Sequence, residues 1–269
     1  MHYLLGATNC QMTSGVIIFR GMKVGFLPGD LQIPVGETGA VGKELVLSTA
    51  YNVLPLWLRI ADDQLKQAKA ANDALRGNWG SSDEGNRELL VRELEPSLQV
   101  FVACGIALDA LYVQLRPYAK LDKDTLDGWK KNSTSRAKQI FEVVRRVYRL
   151  DTDTGAKFMR YIEETIQFRD RAVHPSLELQ QSRTRPDIQV GVDWKFSAYR
   201  YTNSHACFDA TMMMLIYLHE KRSAIVELDE QMSTIFDALE ELKVIQRNRR
   251  ESPKDGDNAG VWVRESKCR

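Results

Sequence analysis

The segment from Gly155 to Pro175 carries a strong helical pattern of apolar and polar positions. Its apolar residues recur at helical spacing and describe one buried stripe, formed by Phe158, Met159, Ile162, Ile166 and Val173. Arg169 lies three residues after Ile166, inside that stripe. A guanidinium stays charged in proteins, and its burial without partners is costly. We therefore expect Arg169 either to pair with a structural carboxylate or to be held in a cleft that meets an anion.

Helical patterns also dominate the chain before and after this segment. The predicted helices are Leu54–Leu75, Arg87–Leu115, Ser135–Leu150, the segment just described with its cap at residues 151–154, and a region from Asn203 to Gln246 that forms one helix or two. Pro55 lies early in the first helix, and Pro96 marks the start of the second helix or a kink within it. These elements predict a mainly α fold, a helical bundle.

Residues 1–50 have a different pattern, with short β-rich runs separated by glycine and proline. They predict a small β-meander or an irregular β-layer from the runs Val16–Phe19, Val24–Leu27 and Leu45–Leu47. A second β signal predicts one or two short strands in a hairpin inserted before the last long helix, from the alternation of Ile188, Val190, Val192, Trp194 and Phe196. The expected organisation is a β-rich segment at 1–50, a helical domain at 51–247 and a flexible tail at 248–269.

Composition narrows the class of protein without changing this picture. The chain has 269 residues, of which 43% are hydrophobic and 27% charged, with a net charge of +1, as is ordinary for a globular protein. Apolar runs such as Met212–Leu218 are too short to cross a bilayer. The first residues lack the basic start and long apolar core of a secretory signal. We therefore expect a cytoplasmic protein with no membrane partner.

The sequence offers no clear motif for a metal or a cofactor. Its four cysteines lie far apart without a CxxC pair, and its four histidines are scattered. The glycines from Gly36 to Gly42 precede Lys43, but Glu44 follows where a phosphate-binding loop requires Ser or Thr. The prediction is therefore a protein without a cofactor and without a metal.

A net charge near zero argues against a uniformly basic nucleic-acid binder but leaves local basic clusters. Each cluster is either a solvated surface or a local contact for an RNA backbone. The clusters are Arg145, Arg146 and Arg149; Arg183 and Arg185; and Arg247, Arg249 and Arg250. Arg171 and the first cluster are the candidates for contacts to an RNA backbone.

Arg169 and His174 form a pair, separated by four residues, near the end of the Gly155–Pro175 helix. Arg200 and His205 repeat that spacing, so the spacing alone decides nothing. The second pair joins a predicted strand end to a predicted helix start, and no single element fixes its geometry. The interpretation of Arg169 and His174 therefore rests on where the two residues lie in the helix and not on their spacing.

Three side chains are expected to meet at the C-terminal end of this helix. Arg169 faces inward, and Asp170 lies one helical turn before His174 on the flank of the stripe. Asp170 can therefore orient the His174 ring and favour its protonated form. Pro175 disfavours helical geometry at His174, so the helix should end there, where its dipole also favours a cationic imidazole.

These residue types suit the cleavage of an RNA phosphodiester without a metal. His174 can act as general base or acid on the 2′-hydroxyl or the leaving 5′-oxygen. Arg169 can stabilise the charge that builds on the phosphoryl oxygens. One histidine does not easily serve both proton transfers, and a symmetric dimer would supply a second copy of each residue.

The sequence RDRAVH at residues 169–174, late in a helical region, resembles the R-x4-6-H motif of the HEPN superfamily, in which Asp is favoured directly after the Arg. The resemblance covers residues 87–245 as a helical pattern and six residues as a motif. It implies a homodimeric helical bundle that is a metal-independent endoribonuclease of a toxin, phage-defence or RNA-processing system. It also implies catalytic roles for Arg169 and His174, an orienting role for Asp170, and a possible antitoxin or regulatory partner. Some members keep only the bundle.

Asp109 is a lone acid among apolar and small residues of the Arg87–Leu115 helix. A buried carboxylate needs a partner, and Arg169 is the obvious candidate. The pair either supports catalysis by holding the guanidinium ready for phosphate, or is a structural ion pair. The second interpretation leads to an alternative function. The chain would then be a non-catalytic helical dimer or adaptor for a protein partner, with Arg169 and His174 in a structural polar network.

Overall fold

The computed structural model describes residues 17–18, 22–26, 28, 31–32, 35–36, 39–40, 44–45, 48–80, 82–174, 176–247 and 262–263. Its helices are Leu54–Asn78 (α1), Asp83–Leu115 (α2), Lys123–Lys131 (α3), Arg136–Tyr148 (α4), Thr152–Val173 (α5), Trp194–Ala198 (α6), Tyr201–Lys221 (α7) and Val226–Glu241 (α8), with a 3-10 turn at Arg116–Tyr118. The expectation of a mainly α bundle with small β segments is confirmed. The chain divides into two compact units, Met1–Asn52 and Val53–Arg269, close to the boundary expected at residue 50.

Local sequence explains where several of these helices begin. Pro55 lies in the first turn of α1, where its missing N–H would have no helical partner. The Ser135 hydroxyl accepts a hydrogen bond from Lys138 N at 3.4 Å at the start of α4. Asp151 Oδ1 accepts one from Thr154 N at 2.9 Å and caps α5. These caps fix the two helices that were expected at these positions.

The central helix of the Val53–Arg269 unit is α2, which packs against α1, α4, α5 and α7. It continues through Pro96 rather than beginning there. Contrary to expectation, one stretch, Asp83–Tyr118, is long and apolar enough to cross a membrane by length and composition. Its apolar window is 56% buried inside the protein, so packing within the bundle accounts for its composition.

Two helical regions differ from, or sharpen, the sequence prediction. The short helix α3 was not predicted, and it starts where Asp122 Oδ1 accepts a hydrogen bond from Thr125 N at 2.6 Å. The last helical region is two helices, α7 and α8. Arg222 and Ala224 have positive φ angles of 58° and 63° and interrupt the helical path between them.

The described strands of the Met1–Asn52 unit form nested antiparallel pairs. Lys23–Gly25 (β1) pairs with Ser48–Ala50 (β6), Leu31–Gln32 (β2) with Glu44–Leu45 (β5), and Val35–Gly36 (β3) with Gly39–Ala40 (β4). A meander would pair each strand with the next one, whereas the described strands are nested, so of the two predicted arrangements they do not fit the meander. Ile17 and Ile18, the two described residues of the expected run at 16–19, are not in a strand.

The hairpin before α7 is shorter than the alternation indicated. Arg183–Arg185 (β7) pairs antiparallel with Val190–Val192 (β8). Trp194 and Phe196 lie in α6 instead of a strand, because Asp193 Oδ1 accepts a backbone hydrogen bond at 2.8 Å and caps that helix. The tail expected from residue 248 lies outside the described residues, apart from Trp262–Val263 (β10), which pairs with Gln246–Arg247 (β9).

Candidate nucleic-acid cleft

A cleft of about 340 Å³ is lined by residues from the C-terminal end of α5, the β7–β8 hairpin, α6 and the start of α7. Its basic lining residues are Arg171, His174, Arg183 and Arg200. The other lining residues are Phe168, Ser176, Gln180, Trp194, Ser197, Ala198 and Asn203. Within the described part of the chain, no aspartate or glutamate lines this cleft. It is therefore a positively charged cavity suited to an anion.

The cleft arginines differ in how far their charge is already neutralised. Arg171 and Arg183 have no carboxylate partner among the residues that the structure describes, and both are exposed. The guanidinium of Arg171 lies 5.8 Å from the centre of the Trp194 ring. Arg200 Nη1 lies 3.9 Å from Asp187 Oδ1, at the outer limit of an ion pair. Two of the three guanidiniums thus remain available for an anionic ligand.

An aromatic cluster supports the cleft. The ring of Phe168 lies 4.9 Å from that of Phe101 and 5.8 Å from that of Tyr199. Tyr199 Oη donates a hydrogen bond to the carbonyl oxygen of Phe168 at 2.8 Å. Burial raises the pKa of Tyr199 to about 12, against a smaller lowering by Arg171, so the phenol stays a donor at neutral pH. The end of α5 is thereby fixed beside the cleft.

His174 follows the last residue of α5, is exposed, and lines the cleft. The expected contact between the Asp170 carboxylate and the His174 ring is not formed. Asp170 Oδ1 instead lies 2.8 Å from Arg169 Nε, although the Nε–H bond is not aligned for a hydrogen bond. No partner holds the His174 ring in the described parts of the chain. The predicted role of Pro175 concerns a residue outside them.

Arg169 is directed at α2 rather than into the cleft. Its Nη1 donates to Asp109 Oδ2 at 3.0 Å, which confirms the contact expected from the sequence. The other Asp109 oxygen accepts from Arg136 Nε at 2.6 Å. A side chain at Gly105 would place its Cβ 2.7 Å from Arg169 Cγ, so this glycine leaves the space that Arg169 fills. Arg169 and His174 therefore do not line one common cleft.

The arginines of α4 also lie outside the cleft. Glu142 Oε1 lies 2.8 Å from Arg145 Nη2 and 2.6 Å from Arg146 Nε. The hydrogen bond from Arg145, helped by Arg146 and opposed by burial, holds the pKa of Glu142 below its usual range. Arg149 is exposed and has no ion pair within the described ranges. Arg145, Arg146 and Arg149, which the sequence offered as candidates for contacts to an RNA backbone, therefore do not line the cleft.

Two cleft arginines were not identified from the sequence. Arg183 belonged to a cluster that was left open between a solvated surface and a local RNA contact, and Arg200 to a pair with His205 whose geometry no single element fixes. His205 Nδ1 lies 3.1 Å from Asp209 Oδ2, so the Arg200–His205 pair has no shared role in the cleft. Arg200 alone lines it. The available signal was the concentration of arginines on both sides of one hairpin.

Arg185, the neighbour of Arg183 in β7, is buried with only 1% of its side chain exposed, so a solvated position is the wrong interpretation for it. Its Nη1 donates to Glu93 Oε2 at 2.7 Å, and Glu93 is equally buried. Its Nε and Nη2 donate to the two oxygens of Asp187 at 3.1 and 2.5 Å. This guanidinium is therefore neutralised by carboxylates on both sides and is not available to a ligand.

Glu93 joins four elements through its two oxygens. Besides Arg185, it accepts hydrogen bonds from Asn72 Nδ2 of α1 and from the backbone N–H of Tyr201, both at 2.9 Å. Tyr201 is the first residue of α7 and directly follows Arg200. The buried network consequently positions both the hairpin that carries Arg183 and the helix start that carries Arg200.

No protein-family model, curated protein or solved structure matches this chain. In the residues that the structure describes, no group of three or more His, Cys, Asp or Glu side chains is placed to hold a metal ion. The function is therefore inferred from the geometry of the cleft and from the motif at residues 169–174.

Proposed function

We propose that this protein is a metal-independent endoribonuclease of HEPN type that cleaves RNA in the basic cleft. One observation carries the proposal: exposed His174 shares a cleft with three arginines, and no acid lines that cleft among the described residues. The motif at residues 169–174 adds the remaining parts of the proposal. These are a homodimer with a composite site, a role as a toxin or phage-defence effector, a cytoplasmic location, and restraint by an antitoxin or regulatory protein.

The chemistry of the proposal follows from the residue types in the cleft. An imidazole can take the proton of the 2′-hydroxyl or supply one to the leaving oxygen. The 2′-oxygen bonds to phosphorus, the bond from phosphorus to the 5′-oxygen breaks, and the products are a 2′,3′-cyclic phosphate and a 5′-hydroxyl. The guanidiniums of Arg171, Arg183 and Arg200 stabilise the charge on the phosphoryl oxygens.

A second copy of the chain completes this reaction. One His174 performs one proton transfer at a time, so the base and the acid come from the two histidines of a symmetric dimer. Arg169, whose guanidinium is engaged with Asp109, holds α5 against α2 and is a positioning residue in this scheme. In this scheme Arg171, Arg183 and Arg200 make the contacts to phosphate.

The first test is cleavage of total RNA by the purified full-length protein in EDTA. His174→Ala should lower the cleavage rate by roughly 100-fold or more, because general acid–base catalysis contributes about that much. The wild-type products should carry 5′-hydroxyl ends, which accept labelled phosphate directly. RNA that stays intact with the wild-type protein, or cleavage that stops in EDTA, would contradict the proposal.

Matched arginine variants test whether the cleft is the RNA site. Arg171→Ala and Arg183→Ala should each weaken RNA binding about tenfold, the cost of one charge-assisted hydrogen bond. Arg149→Ala removes the same charge from the exposed residue that follows α4 and should leave binding within about twofold of the wild type. An equal loss in all three variants would move the RNA site away from the cleft.

Arg169→Lys separates a positioning role from direct catalysis. Lysine keeps the charge but loses the forked contacts, so a positioning role predicts a lower urea unfolding midpoint with cleavage reduced only a few fold. A collapse of cleavage with an unchanged unfolding midpoint would instead place Arg169 at the reacting phosphate.

The alternative function is supported by a separate observation. Asp109 pairs with both Arg169 and Arg136, so this charged cluster is satisfied without any ligand. The chain would then be a non-catalytic helical dimer or adaptor for a protein partner. This alternative predicts no cleavage of RNA by the wild type, no effect of His174→Ala on any RNA assay, and destabilisation by Arg169→Ala.

A further inference from the structure

A second pocket adjoins the basic cleft between α5 and α7. Its volume is about 390 Å³, near the lower end of the roughly 300–1,000 Å³ typical of ligand pockets. Phe168 and Asn203 line both cavities. One ligand can therefore place a charged group in the cleft and an adjacent group in this pocket.

The walls of this second pocket suit a flat aromatic ring. Phe101, Tyr161 and Phe168 supply ring surfaces. Phe101 is buried and in contact with Phe168, which fixes that wall. Ala206 and Ala210 lie one turn apart on α7 and leave the opposite side open, because their side chains end at Cβ. The cavity is thus a slot bordered by α2, α5 and α7.

We propose that this slot binds an unpaired base of the RNA strand whose phosphate occupies the basic cleft, an inference that rests on the proposed function. A nucleotide joins an anionic phosphate to an aromatic base. The basic cleft can take the phosphate, and the adjoining apolar slot can take the base. A paired base in a duplex is stacked on both faces and cannot enter. The substrate class is therefore single-stranded RNA.

Glu164 gives the slot a preference among bases. It is the one acidic lining residue in the described part of the chain, and its exposed carboxylate has no ion pair there. An ionised carboxylate only accepts hydrogen bonds. Guanine presents two adjacent donors on its Watson–Crick edge, whereas uracil presents one donor between two carbonyls that repel a carboxylate. The slot should therefore favour guanine over uracil.

The base preference is measured with four single-stranded oligouridines that differ at one central position, which carries guanine, adenine, cytosine or uracil. Binding is followed by fluorescence anisotropy with the His174→Ala protein, and cleavage with the wild type, both in EDTA. The guanine oligomer should bind and react about tenfold better than the all-uracil one, as expected for one good base contact. The same oligomers annealed to a complement should bind more weakly and resist cleavage.

Two variants test the slot itself. Ala206→Leu fills it from an exposed helix position and should raise KM about tenfold, the loss of one stacked base, with kcat and the thermal midpoint unchanged. Ala70→Leu makes the same change at an exposed alanine of α1 outside both cavities and should have no effect. Glu164→Gln should bring the guanine-to-uracil ratio close to one, because an amide both donates and accepts.

The outcomes distinguish the slot from the cleavage reaction. Equal binding of the four oligomers with an unchanged KM for Ala206→Leu would overturn the base slot while RNA cleavage stands. A guanine preference in binding without any cleavage would support the slot and overturn the nuclease. Absence of both RNA binding and cleavage would overturn the two proposals together.

Discussion

Gly105 is the residue on which the contact between α2 and α5 depends. Any side chain at this position would put its Cβ 2.8 Å from Arg169 Cβ and 2.7 Å from Arg169 Cγ, distances that real Cβ atoms do not show. The absence of a side chain lets a charged residue of α5 lie directly on α2 and reach Asp109 one turn further along. The lack of a side chain at Gly105 therefore determines where the Arg169 guanidinium can lie.

Gly105→Ala should destabilise the protein by about 1–3 kcal/mol, the usual cost of overpacking a closed contact. Alanine favours a helix over glycine by about 1 kcal/mol, so the net loss reports the clash with Arg169. Urea unfolding followed by circular dichroism measures it. The control is Gly128→Ala in α3, where a Cβ meets nothing within 4 Å and should stabilise the protein slightly. Equal stability of both variants would refute the crowded contact.

At the scale of residues, the sequence predicts the contact of Asp109 with Arg169 but not its contact with Arg136. Asp109 and Arg169 are lone charges in apolar helical stripes, and burial forces such charges to find each other. Arg136 gave no such signal, because it begins α4 and its long side chain reaches Asp109 past the Tyr112 ring, whose centre lies 3.8 Å from the guanidinium carbon. Contacts made by long side chains at helix ends depend on tertiary placement.

At the scale of elements, the β7–β8 hairpin depends on the buried carboxylate of Glu93. All of its hydrogen-bond partners are donors: the Asn72 amide, the Arg185 guanidinium and the Tyr201 N–H. A glutamine at this position would direct its side-chain NH2 group at these donors, with which it cannot form hydrogen bonds. The hairpin and the start of α7 are therefore held by the charge of one side chain as well as by apolar packing.

Glu93→Gln should lower the free energy of unfolding by about 3 kcal/mol or more, the usual cost of breaking a buried ion pair from one side. Its matched control is Glu95→Gln, two residues later on α2 and exposed, which should change stability by no more than about 0.5 kcal/mol. Urea unfolding midpoints give both values. A loss as small as that of the control would mean that the hairpin is held without this pair.

Asp187 makes the hairpin sensitive to acid. Burial favours its neutral form, but the hydrogen bonds and charge of Arg185 outweigh burial and hold the pKa of Asp187 below its usual range. A lowered folded-state pKa contributes stability that is fully present above the unfolded value of about 3.9. That stability is lost as the pH falls below this value and through the folded-state pKa.

The measurement is the thermal midpoint of the wild type and of Asp187→Asn between pH 7 and pH 2. The variant should be less stable at pH 7 and should lose less stability on acidification, so that the two curves converge at low pH. Other carboxylates that titrate are common to both proteins and cancel in the comparison. Parallel curves across the range would show that Asp187 does not carry this sensitivity.

The elements themselves were largely predictable, because short-range chemistry determines them. Ser135 and Asp151 mark the starts of α4 and α5 in both sequence and structure. The alternation through Trp194 was misleading, since the Asp193 cap was the stronger local signal. The short helix α3 has few apolar residues and therefore little periodicity to detect.

At the scale of the whole molecule, the cleft is assembled from elements that are distant in sequence. Arg171, Arg183 and Arg200 belong to α5, the hairpin and the residue before α7, and no spacing rule connects them. His174, the last residue of the motif, lines one end of the cleft. The charges that surround it become neighbours only when the bundle forms, so the sequence could indicate a concentration of arginines near the hairpin but not their meeting in one cleft.

Removal of residues 1–52 should leave the helical bundle folded. The main core cluster of the described residues begins at Leu54, and the chain divides at Asn52 into two compact units. Far-UV circular dichroism of residues 53–269 should retain the helical signal and a cooperative thermal transition within a few degrees of the intact chain. A broad, non-cooperative transition would show that the bundle needs the N-terminal unit.

The hydrogen bond from the Tyr201 N–H to Glu93 also has a consequence for synthesis of the chain. α5 and the histidine that follows it leave the ribosome before residue 201, whose N–H is one of the donors to Glu93. The basic cleft can thus be complete only after the chain has been made as far as Asn203. A chain that ends before residue 200 therefore carries the motif but lacks Arg200 and Asn203, two of the residues that line the cleft.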